Sequence, residues 1–513
     1  MGPSLKVFSD LFKQEFNTQG EEWLSTMKSE LKVETLDNLT AKKHLDLGNW
    51  PTLSLKAVQS QQMNSTTSWK KAAQTYHHID SFKIELSLVD DLEGGARAFF
   101  FHKDSLNTEI WELIERVLNS YRCADEIEVY LLGKNEIKTN SALKVFDENQ
   151  MIFAREAHEQ GGHNVHELAL LTCKFIEAID SGPTHLGVFL DSHFFKNIAK
   201  VRALKLLIEK VCRESGVKNT PQVMTLNSYR EWTLYERYSN MLRNNVQVAS
   251  GYISGADVIQ SSGYQIIFDL ETNMDDQVHN ERSLRMARNT SHILNLESTL
   301  GLVNDAAYGS YHLENLSHQY AEAAWKLMQV LLSFDPVKRA VFLQAEVLKV
   351  SDLRLNRVKT RKDVLAGIND YPDAKEQLGL TLKKVDTFRV ARIFEEIRLK
   401  VESLKNRPKV EILFQGDLGL LNNRINFIKN YFELIGLEVI EPTHAPSIAE
   451  NKILVLCAKD EDYSELAKQT QNQKCVAKYL AGKVEVSGFE MIHAGQDVYQ
   501  VLSQLVNKLV GEK

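Results

Sequence analysis

Two small groups of residues in the sequence could carry chemistry. Glu159 follows His158 directly, and an imidazole beside a carboxylate can act as a general acid and base. His77 and His78 follow Tyr76 and could suggest a metal site, but adjacent histidines point in different directions and no carboxylate spacing supports one. No third group completes the His158 pair. The sequence therefore favours structural roles for these residues and predicts no metal site.

The cysteines show no pattern typical of a zinc site or a disulfide framework. The five are far apart and form no Cys-x-x-Cys pair: Cys123, Cys173, Cys212, Cys457 and Cys475. Free thiols fit a reducing compartment best, so we expect the protein in the cytoplasm.

Composition argues against several classes of protein. Of 513 residues, 43% are hydrophobic and 25% charged, which is typical of soluble globular proteins. Lys and Arg number 61 against 68 Asp and Glu, a net charge of −7, and no long basic run could neutralise phosphates. No apolar stretch is long enough to span a bilayer, and charged residues interrupt the N-terminal region, unlike a signal peptide. We expect a soluble protein that binds neither nucleic acid nor membrane.

The length indicates about three domains, or one large barrel with attachments, at roughly 150 residues per domain. Residues 1–60 predict an N-terminal helical arm, because apolar residues from Phe8 to Leu31 fall near helical spacing. This arm either packs on its own domain, which is favoured, or contacts a partner. Alternating strands and helices over 61–335 predict an eight-stranded TIM-type barrel. Residues 336–407 predict a helical linker, and 408–513 a doubly wound, flavodoxin-like domain.

The predicted strands are short runs of β-branched and aromatic residues. In the barrel region they are Phe82–Val89, Ala96–Phe101, Glu126–Leu132, His185–Leu190, Gln222–Leu226 and Ile266–Phe268. In the last domain they are Val410–Gln415, Leu437–Ile440, Ile453–Cys457, Val476–Leu480 and Phe489–His493.

Five segments follow one another in an order typical of one enzyme family. Phe195–Leu204 contains Ile-Ala-Lys-Val-Arg-Ala, Tyr238–Arg243 reads Tyr-Ser-Asn-Met-Leu-Arg, and Gly255–Asp257 reads Gly-Ala-Asp. Ala287–Thr290 reads Ala-Arg-Asn-Thr, and Asp305–Glu314 reads Asp-Ala-Ala-Tyr-Gly-Ser-Tyr-His-Leu-Glu. Each segment is weak evidence alone. In this order they resemble the methylmalonyl-CoA mutases, and specifically the small (beta) subunits.

The resemblance implies a fold and a reaction. The fold is an α/β barrel whose axis admits a CoA chain, followed by a flavodoxin-like domain that holds cobalamin in catalytic members. The reaction is the radical isomerisation of methylmalonyl-CoA and succinyl-CoA, in which the cofactor supplies the difficult chemistry and the protein supplies positioning.

The loop that would hold cobalamin departs from the family pattern. Catalytic members place a His in an Asp-x-His-x-x-Gly loop after the first strand of the last domain, where it binds cobalt from below. The corresponding loop here, Gln415–Arg424, keeps Asp417 but contains no histidine. Asp417 is predicted to cap a helix or lie in a loop. Leu418, Leu420 and Leu421 are predicted to fill the space with side chains.

Other segments of the last domain depart in the same direction. Leu454–Tyr463 and Tyr479–Gly482 resemble the small-subunit pattern and lack the small, Ser-rich and Gly-Gly surfaces that accommodate a nucleotide tail. His444 and His493 lie in other loops, and we expect surface or hydrogen-bonding roles for them.

The barrel region also departs from the catalytic pattern. Catalytic members carry a Tyr-His pair whose His would hydrogen-bond the thioester carbonyl, and Arg155 and Glu156 occupy these positions. An anion at the second position would repel the carbonyl oxygen. The family's Asp-Pro becomes Asp305-Ala306, and its paired glycines become Tyr308-Gly309.

We therefore expect a non-catalytic small subunit with no catalytic, cofactor-binding or metal-binding residues of its own. The resemblance implies a heterodimer with a large (alpha) subunit that carries adenosylcobalamin. Two alternatives stay open: an acyl-CoA isomerase that acts on its own, and an independent acyl-CoA-binding or regulatory module that performs no reaction.

Overall fold

The computed structural model describes most of the chain from residue 84 onward and short segments before it. The described residues are 25, 28–29, 41–44, 48–50, 71–76, 84–103, 106–121, 124–132, 143–268, 274–378, 388–445, 451–470 and 473–511, with only the backbone at 41–44, 48–50, 71–76, 102 and 274–280. Most of the predicted Phe8–Leu31 helix lies outside these residues, as do His77, His78 and Cys123.

Helices and strands alternate along the chain. The strands are β1 (Ala41–His44), β2 (Gly48–Trp50), β3 (Lys71–Tyr76), β4 (Ala98–His102), β5 (Glu128–Leu132), β6 (Lys144–Phe146), β7 (Met151–Phe153), β8 (His185–Leu190), β9 (Gln222–Asn227), β10 (Val258–Ser261), β11 (Lys409–Phe414), β12 (Lys452–Cys457), β13 (Ala477–Ala481) and β14 (Glu490–Ile492). The helices are α1 (Ile84–Glu93), α2 (Thr108–Ser120), α3 (Arg155–Glu159), α4 (Asn164–Glu177), α5 (Phe194–Ser215), α6 (Ser239–Ile253), α7 (Met274–His292), α8 (Tyr311–Leu332), α9 (Pro336–Lys359), α10 (Arg392–Glu402), α11 (Leu418–Glu433), α12 (Tyr463–Gln469) and α13 (Val498–Val510).

Strands β3 to β10 form one parallel sheet in the order β6-β5-β4-β3-β10-β9-β8-β7. In chain order β3 is the first strand of this sheet and β10 is the last, and the two pair with each other. Among the described residues, no backbone pairing joins β6 to β7, so hydrogen bonds do not close the sheet there. The predicted parallel α/β architecture is confirmed, whereas the predicted closed barrel is not.

Ring contacts join strands that are far apart in this order. His185 of β8 lies 5.4 Å from Tyr130 of β5 and 4.6 Å from Phe146 of β6, measured between ring centroids. Strands β5 and β8 are five positions apart in the sheet, which would separate them by about 24 Å if the sheet were flat. The sheet is therefore strongly curved toward the face that carries these rings.

The curved face of the sheet is filled by large side chains. Its buried cluster contains Ala98, Phe100, Tyr130, Leu132, Met151, Phe153, Phe189, Met224, Leu226 and Val258. Gly187 of β8 makes room for one of them, because a Cβ at this position would lie 2.2 Å from the Phe153 ring. The alternate residues of β4 and β5 pack on the other face against α1 and α2.

Two predicted strands are wrong. Phe82–Val89 has apolar residues at every second position, which imitates a strand, but Ile84–Glu93 forms α1. The helix buries Leu88 and Leu92, four residues apart, and leaves Leu86 69% exposed. Ile266–Phe268 lies in turns after β10.

A second parallel sheet has the order β11-β12-β13-β14. Parallel bridges from Val410 to Val439 and from Leu413 to Thr443 add one more segment beside β11. The predicted strand Leu437–Ile440 is thus represented by an isolated bridge. If the segment around Val439 is counted as the second strand of this domain, it lies outside β11, the first strand. Across the sheet the strands then follow in the order 2-1-3-4-5, numbered along the chain.

The chain divides into two compact units. Unit 1 comprises residues 1–228, 243–266 and 270–350, and unit 2 comprises 229–242, 267–269 and 351–513. None of the helices in the described part of the chain is both long and apolar enough to cross a bilayer.

Residues 229–242 belong to unit 2, although the chain on both sides of them belongs to unit 1. We call this segment the excursion, and buried polar contacts hold it in unit 2. The Leu234 N–H donates to Glu395 at 2.8 Å, and Glu395 pairs with Arg389 at 2.7 Å. The Tyr235 hydroxyl donates to Glu402 at 2.8 Å. Since these partners lie in or just before α10, the excursion is an integral part of unit 2.

Candidate functional site

His158 lies beyond the carboxyl end of β7, in α3, and connects two other parts of unit 1. Its Nδ1 lies 3.0 Å from Oε2 of Glu167 on α4, and its Nε2 lies 2.9 Å from Oγ of Ser228, which follows β9. Because a carboxylate only accepts hydrogen bonds, Nδ1 carries a proton and donates it to Glu167, while Nε2 shares a hydrogen bond with the Ser228 hydroxyl. The three side chains form a continuous Ser–His–Glu hydrogen-bonded chain.

Glu167 is the centre of this network. Its carboxylate accepts from the Lys200 ammonium at 2.6 Å and from the Phe189 N–H at 2.8 Å, and Lys200 also donates to the Phe189 carbonyl at 2.7 Å. Glu167 and Lys200 are each 1% exposed. Burial alone would raise the pKa of the Glu167 carboxyl, but the Lys200 ammonium and the His158 ring lower that pKa to about 2. Glu167 is therefore ionised at neutral pH.

A serine, a histidine and a carboxylate in this order can activate the serine for acyl transfer. Here Ser228 is 1% exposed, and the His158 ring stacks on Phe189 with 4.4 Å between centroids. Lys200 already pairs with the carboxylate. The Ser228 hydroxyl thus faces protein atoms rather than solvent, and the network links the carboxyl ends of β7, β8 and β9.

The acid that pairs with His158 differs from the one suggested by the sequence. Glu159 lies 3.8 Å from Arg155 across the first turn of α3, whereas His158 pairs with Glu167. The missing third group is Ser228, seventy residues further along the chain.

Arg155 and Glu156, which occupy the positions of the Tyr-His pair of catalytic members, lie in different surroundings. The Arg155 guanidinium carbon lies 4.9 Å from the Phe153 ring centroid and 5.9 Å from that of Phe189, beside the filled face of the sheet. Its Nε and Nη2 are buried and have no hydrogen-bond partner among the described residues. Glu156 instead pairs with Lys174 at 2.5 Å, with 46% of its side chain exposed. The expected repulsion of a ligand carbonyl by Glu156 therefore has no support in this geometry.

Two of the five signature segments meet in a buried ion cluster. Arg202 of α5 lies 2.7 Å from Glu314 and 3.1 Å from Asp305, and the Arg202 and Glu314 side chains are fully buried. The Gly309 N–H donates to the same Glu314 carboxylate at 3.0 Å. These residues fix the segment 305–314 onto α5.

A third signature segment is fixed by close packing. Gly255 has φ +76°, and a Cβ on it would lie 1.8 Å from the Asn304 carbonyl oxygen. The Lys205 ammonium donates to the Gly255 carbonyl, and Asp257 accepts from the Val223 N–H at 2.8 Å. Glycine is required here both by backbone conformation and by space.

In unit 2, Asp417 caps a helix, as predicted. Its carboxylate accepts from the Gly419 N–H at 2.6 Å, and α11 begins at Leu418. Leu421 is buried as predicted, but Leu418 and Leu420 are 51% and 71% exposed. The prediction that all three leucines fill space is wrong for two of them, because the first turn of α11 directs them to solvent.

The carboxyl ends of β12 and β13 are connected by Tyr463 and Arg424. The Tyr463 hydroxyl donates to the Ala481 carbonyl at 2.5 Å, and its ring lies 3.3 Å from where a Cβ on Gly482 would be. Arg424 pairs with Asp460 at 2.8 Å and donates to the Ala458 carbonyl. A corrin with a buried nucleotide tail needs an open cradle at these strand ends, and these residues do not fit that requirement.

The two histidines of this domain lie in exposed loops. His444 Nδ1 lies 3.2 Å from the Phe414 carbonyl, and its ring lies 4.0 Å from the Phe414 ring. His493 Nδ1 lies 3.1 Å from the Ala494 carbonyl. Both form the hydrogen bonds expected of loop histidines.

Sequence reasoning missed Glu167, Lys200 and Ser228 as members of one network. A signal was present for Lys200, which lies among buried residues of α5 such as Ile198 and Val201. A charged residue on an apolar helix face requires a buried partner, although the sequence does not say which one.

Comparison with known proteins supports one family. Residues 184–414 match the model of the family described as "Methylmalonyl-CoA mutase". The chain is 26% identical to the "Methylmalonyl-CoA mutase small subunit" of Porphyromonas gingivalis over 58% of this chain and 51% of that protein. It is 26% identical to the small subunit of Propionibacterium freudenreichii subsp. shermanii over 69% of this chain and 62% of that protein.

The matches extend to proteins without the small-subunit name. The "Methylmalonyl-CoA mutase" of Cereibacter sphaeroides is 29% identical over 42% of this chain and 32% of that protein. The alignments with the first two small subunits span about half to three-fifths of those proteins' length. Over its matched region, the chain is similar to the methylmalonyl-CoA mutases, and its similarity to several of their small subunits confirms the resemblance inferred from the motifs.

Proposed function

We propose that this chain is the non-catalytic small subunit of a cobalamin-dependent methylmalonyl-CoA mutase. In this proposal, a large subunit carries adenosylcobalamin and interconverts methylmalonyl-CoA and succinyl-CoA, and this chain supports it in a cytoplasmic heterodimer. The similarity to proteins named small subunits carries the proposal. A duplicated enzyme half can retain its fold while losing its chemistry.

We infer that the two sheets correspond to the two domains of the family. The curvature that brings His185 to Phe146 supports a TIM-type barrel with a seam between β6 and β7. The order of the second sheet, with Val439 beside β11, is that of flavodoxin-like domains.

Large side chains fill the curved face of the first sheet, which supports the proposal that this chain does not catalyse the reaction. Phe153 occupies the space over Gly187, and Phe100, Tyr130 and Phe189 belong to the same buried cluster. A CoA chain along this axis would have to displace aromatic rings. Arg155 and Glu156 also replace the pair that would bind the thioester.

The first experiment tests partnership. The full-length chain is co-expressed with the large subunit of the same organism, and the purified proteins are analysed by gel filtration with light scattering. We expect one peak with the mass of a one-to-one heterodimer, because stable interfaces persist at micromolar concentration. Two separate peaks would contradict the proposal.

The second experiment tests the cofactor assignment. The isolated chain is incubated with adenosylcobalamin and desalted, and its visible spectrum is recorded. We expect a colourless protein, because Tyr463 and Arg424 occupy the strand ends. Bound corrin would contradict this assignment, and its loss in His444→Ala would identify His444 as a replacement ligand.

One observation favours the second candidate function, an acyl-CoA-binding module. Among the described residues, the buried Nε and Nη2 of Arg155 have no hydrogen-bond partner, and a guanidinium fork of this kind matches a carboxylate or thioester oxygen. Calorimetry with succinyl-CoA tests this candidate. Binding heat that disappears in Arg155→Met would favour it, and absence of heat would remove it.

A further inference from the structure

A concentrated group of apolar side chains is exposed in unit 1 between α7 and α8. Within sixteen residues, Ile293 is 47%, Leu296 65%, Leu302 68%, Val303 54% and Tyr308 51% exposed. We call these five side chains the 293–308 surface. Single exposed apolar residues are ordinary, whereas a group of this density marks an interaction site.

The apolar area of this surface is the amount that a protein interface uses. Five side chains of this size and exposure present roughly 500 Å² to solvent, within the about 300–600 Å² of the largest apolar patches on monomers, which are often functional. A standard interface buries about 800 Å² per partner, of which about 56–65% is apolar. The 293–308 surface could thus supply the apolar area of one standard interface.

The segment carries little charge. The residues charged at neutral pH are Glu297 and Asp305, and Asp305 is paired with Arg202 with only 9% of its side chain exposed. Depletion of charge is the compositional feature of interface cores. The surface is therefore suited to an uncharged, apolar counterpart, and the segment contains no Lys or Arg that could bind a phosphate.

Backbone hydrogen bonds hold the segment in one conformation. The Ser298 N–H donates to the Ile293 carbonyl at 2.8 Å, and the Leu300 N–H donates to the Leu294 carbonyl at 3.0 Å. At the other end, Ala307 is 3% exposed and packs in a buried cluster with other residues of unit 1. A surface that is already ordered loses little conformational entropy when it binds.

We infer that the 293–308 surface is the contact through which this chain binds the large subunit. The inference rests on the proposed function, because that function supplies the partner. It assigns the contact to the segment that Arg202 and Glu314 anchor, so the buried ion cluster of the signature segments would serve to present an interface.

The experiment compares two double variants of the full-length chain in binding to the large subunit. Leu296→Asp with Leu302→Asp places two charges on the surface, and we expect binding at least tenfold weaker than wild type. The matched control is Val337→Asp with Val341→Asp, which changes two residues of α9 that are 75% and 63% exposed. We expect wild-type binding for this control.

The outcomes separate this inference from the proposed function. If the wild-type chain does not bind the large subunit, the proposed function fails. If wild type and both double variants bind equally, only the assignment of the surface is overturned. If the isolated chain is a dimer that the Leu296/Leu302 variant converts to a monomer, the occupant is a second copy and the inference is overturned.

A second measurement covers a variant that fails to fold. Leu296→Cys adds one exposed thiol with little change in charge, and its alkylation by maleimide is followed with and without the large subunit. We expect at least tenfold slower alkylation in the complex. An unchanged rate in a complex of confirmed stoichiometry would overturn the inference.

Discussion

The charged side chains at the carboxyl ends of the strands are buried in unit 1 and partly exposed to solvent in unit 2. In unit 1, His158, Glu167 and Lys200 are at most 3% exposed and satisfy one another. In unit 2, the side chains of Arg424 and Asp460 are 37% and 62% exposed. A buried charge is tolerated only while its partner is present, whereas an exposed one is solvated by water. The first site is thus part of the core of its unit, and the second is a local bridge.

The largest expected effect comes from removing one cation at each site. Lys200→Met leaves the Glu167 carboxylate buried without its ammonium partner, and we expect a loss of about 3–5 kcal/mol in the free energy of unfolding. Arg424→Met removes the exposed cation, and we expect a loss of about 1 kcal/mol or less. Urea unfolding measures both. Equal losses would show that the two sites do not differ as described.

Acid should weaken the buried site through Glu167. Its pKa is about 2 in the folded protein against 4.5 ordinarily, so the folded state holds this proton more weakly than the unfolded state. The stabilisation is complete above about pH 5 and is lost as pH falls toward 2, at most about 3 kcal/mol. We expect Glu167→Gln to be less stable at pH 7 and to show a flatter dependence over this range. Parallel curves for the two proteins would contradict the assignment.

Replacing a glycine by alanine should cost more stability in the filled interior of unit 1 than in the first turn of α11 in unit 2. Gly187→Ala places a Cβ 2.2 Å from the Phe153 ring, and we expect a loss of about 1–3 kcal/mol from overpacking. Gly419→Ala meets the Asp417 carboxylate at 3.1 Å, near solvent, and we expect a change below about 1 kcal/mol. Thermal unfolding compares them, and Phe153→Leu should restore part of the loss in Gly187→Ala.

The smallest expected effect concerns the cap of α11. Asp417→Ala removes the acceptor for the Gly419 N–H, and we expect a loss of about 1 kcal/mol. Asp417→Asn retains an acceptor and serves as the control, with a loss of a few tenths. A loss in Asp417→Ala as large as that in Lys200→Met would mean that the carboxyl end of β11 is as tightly coupled to its unit as the Glu167 network is.

Local patterns could be predicted where they agree with tertiary packing. The bounds of β8, His185–Leu190, match the prediction because an uninterrupted run without charged residues follows His185 and every position of the strand is buried. Strands β6 and β7 were not predicted, because three residues are too few to establish a period. The Asp417 cap could be predicted since its acceptor and donor are two residues apart.

The buried network could not be predicted for the converse reason. His158 and Glu167 are nine residues apart, and Ser228 is seventy residues from His158. Only the arrangement of β7, β8 and β9 brings them together. The exposure of Leu418 and Leu420 was likewise undetermined, since the rotation of α11 depends on which residues its neighbours cover.

Because residues 229–242 pack against residues synthesised much later, they cannot complete their folding until those residues have been made. Leu234 and its partner Glu395 are 161 residues apart, which corresponds to about 10–30 s of elongation. During this time the ring of Tyr235, fully buried in the finished protein, has been synthesised without Arg398 and Glu402 of α10, which contact it. The nascent chain therefore offers a hydrophobic target for chaperones until α10 has been synthesised.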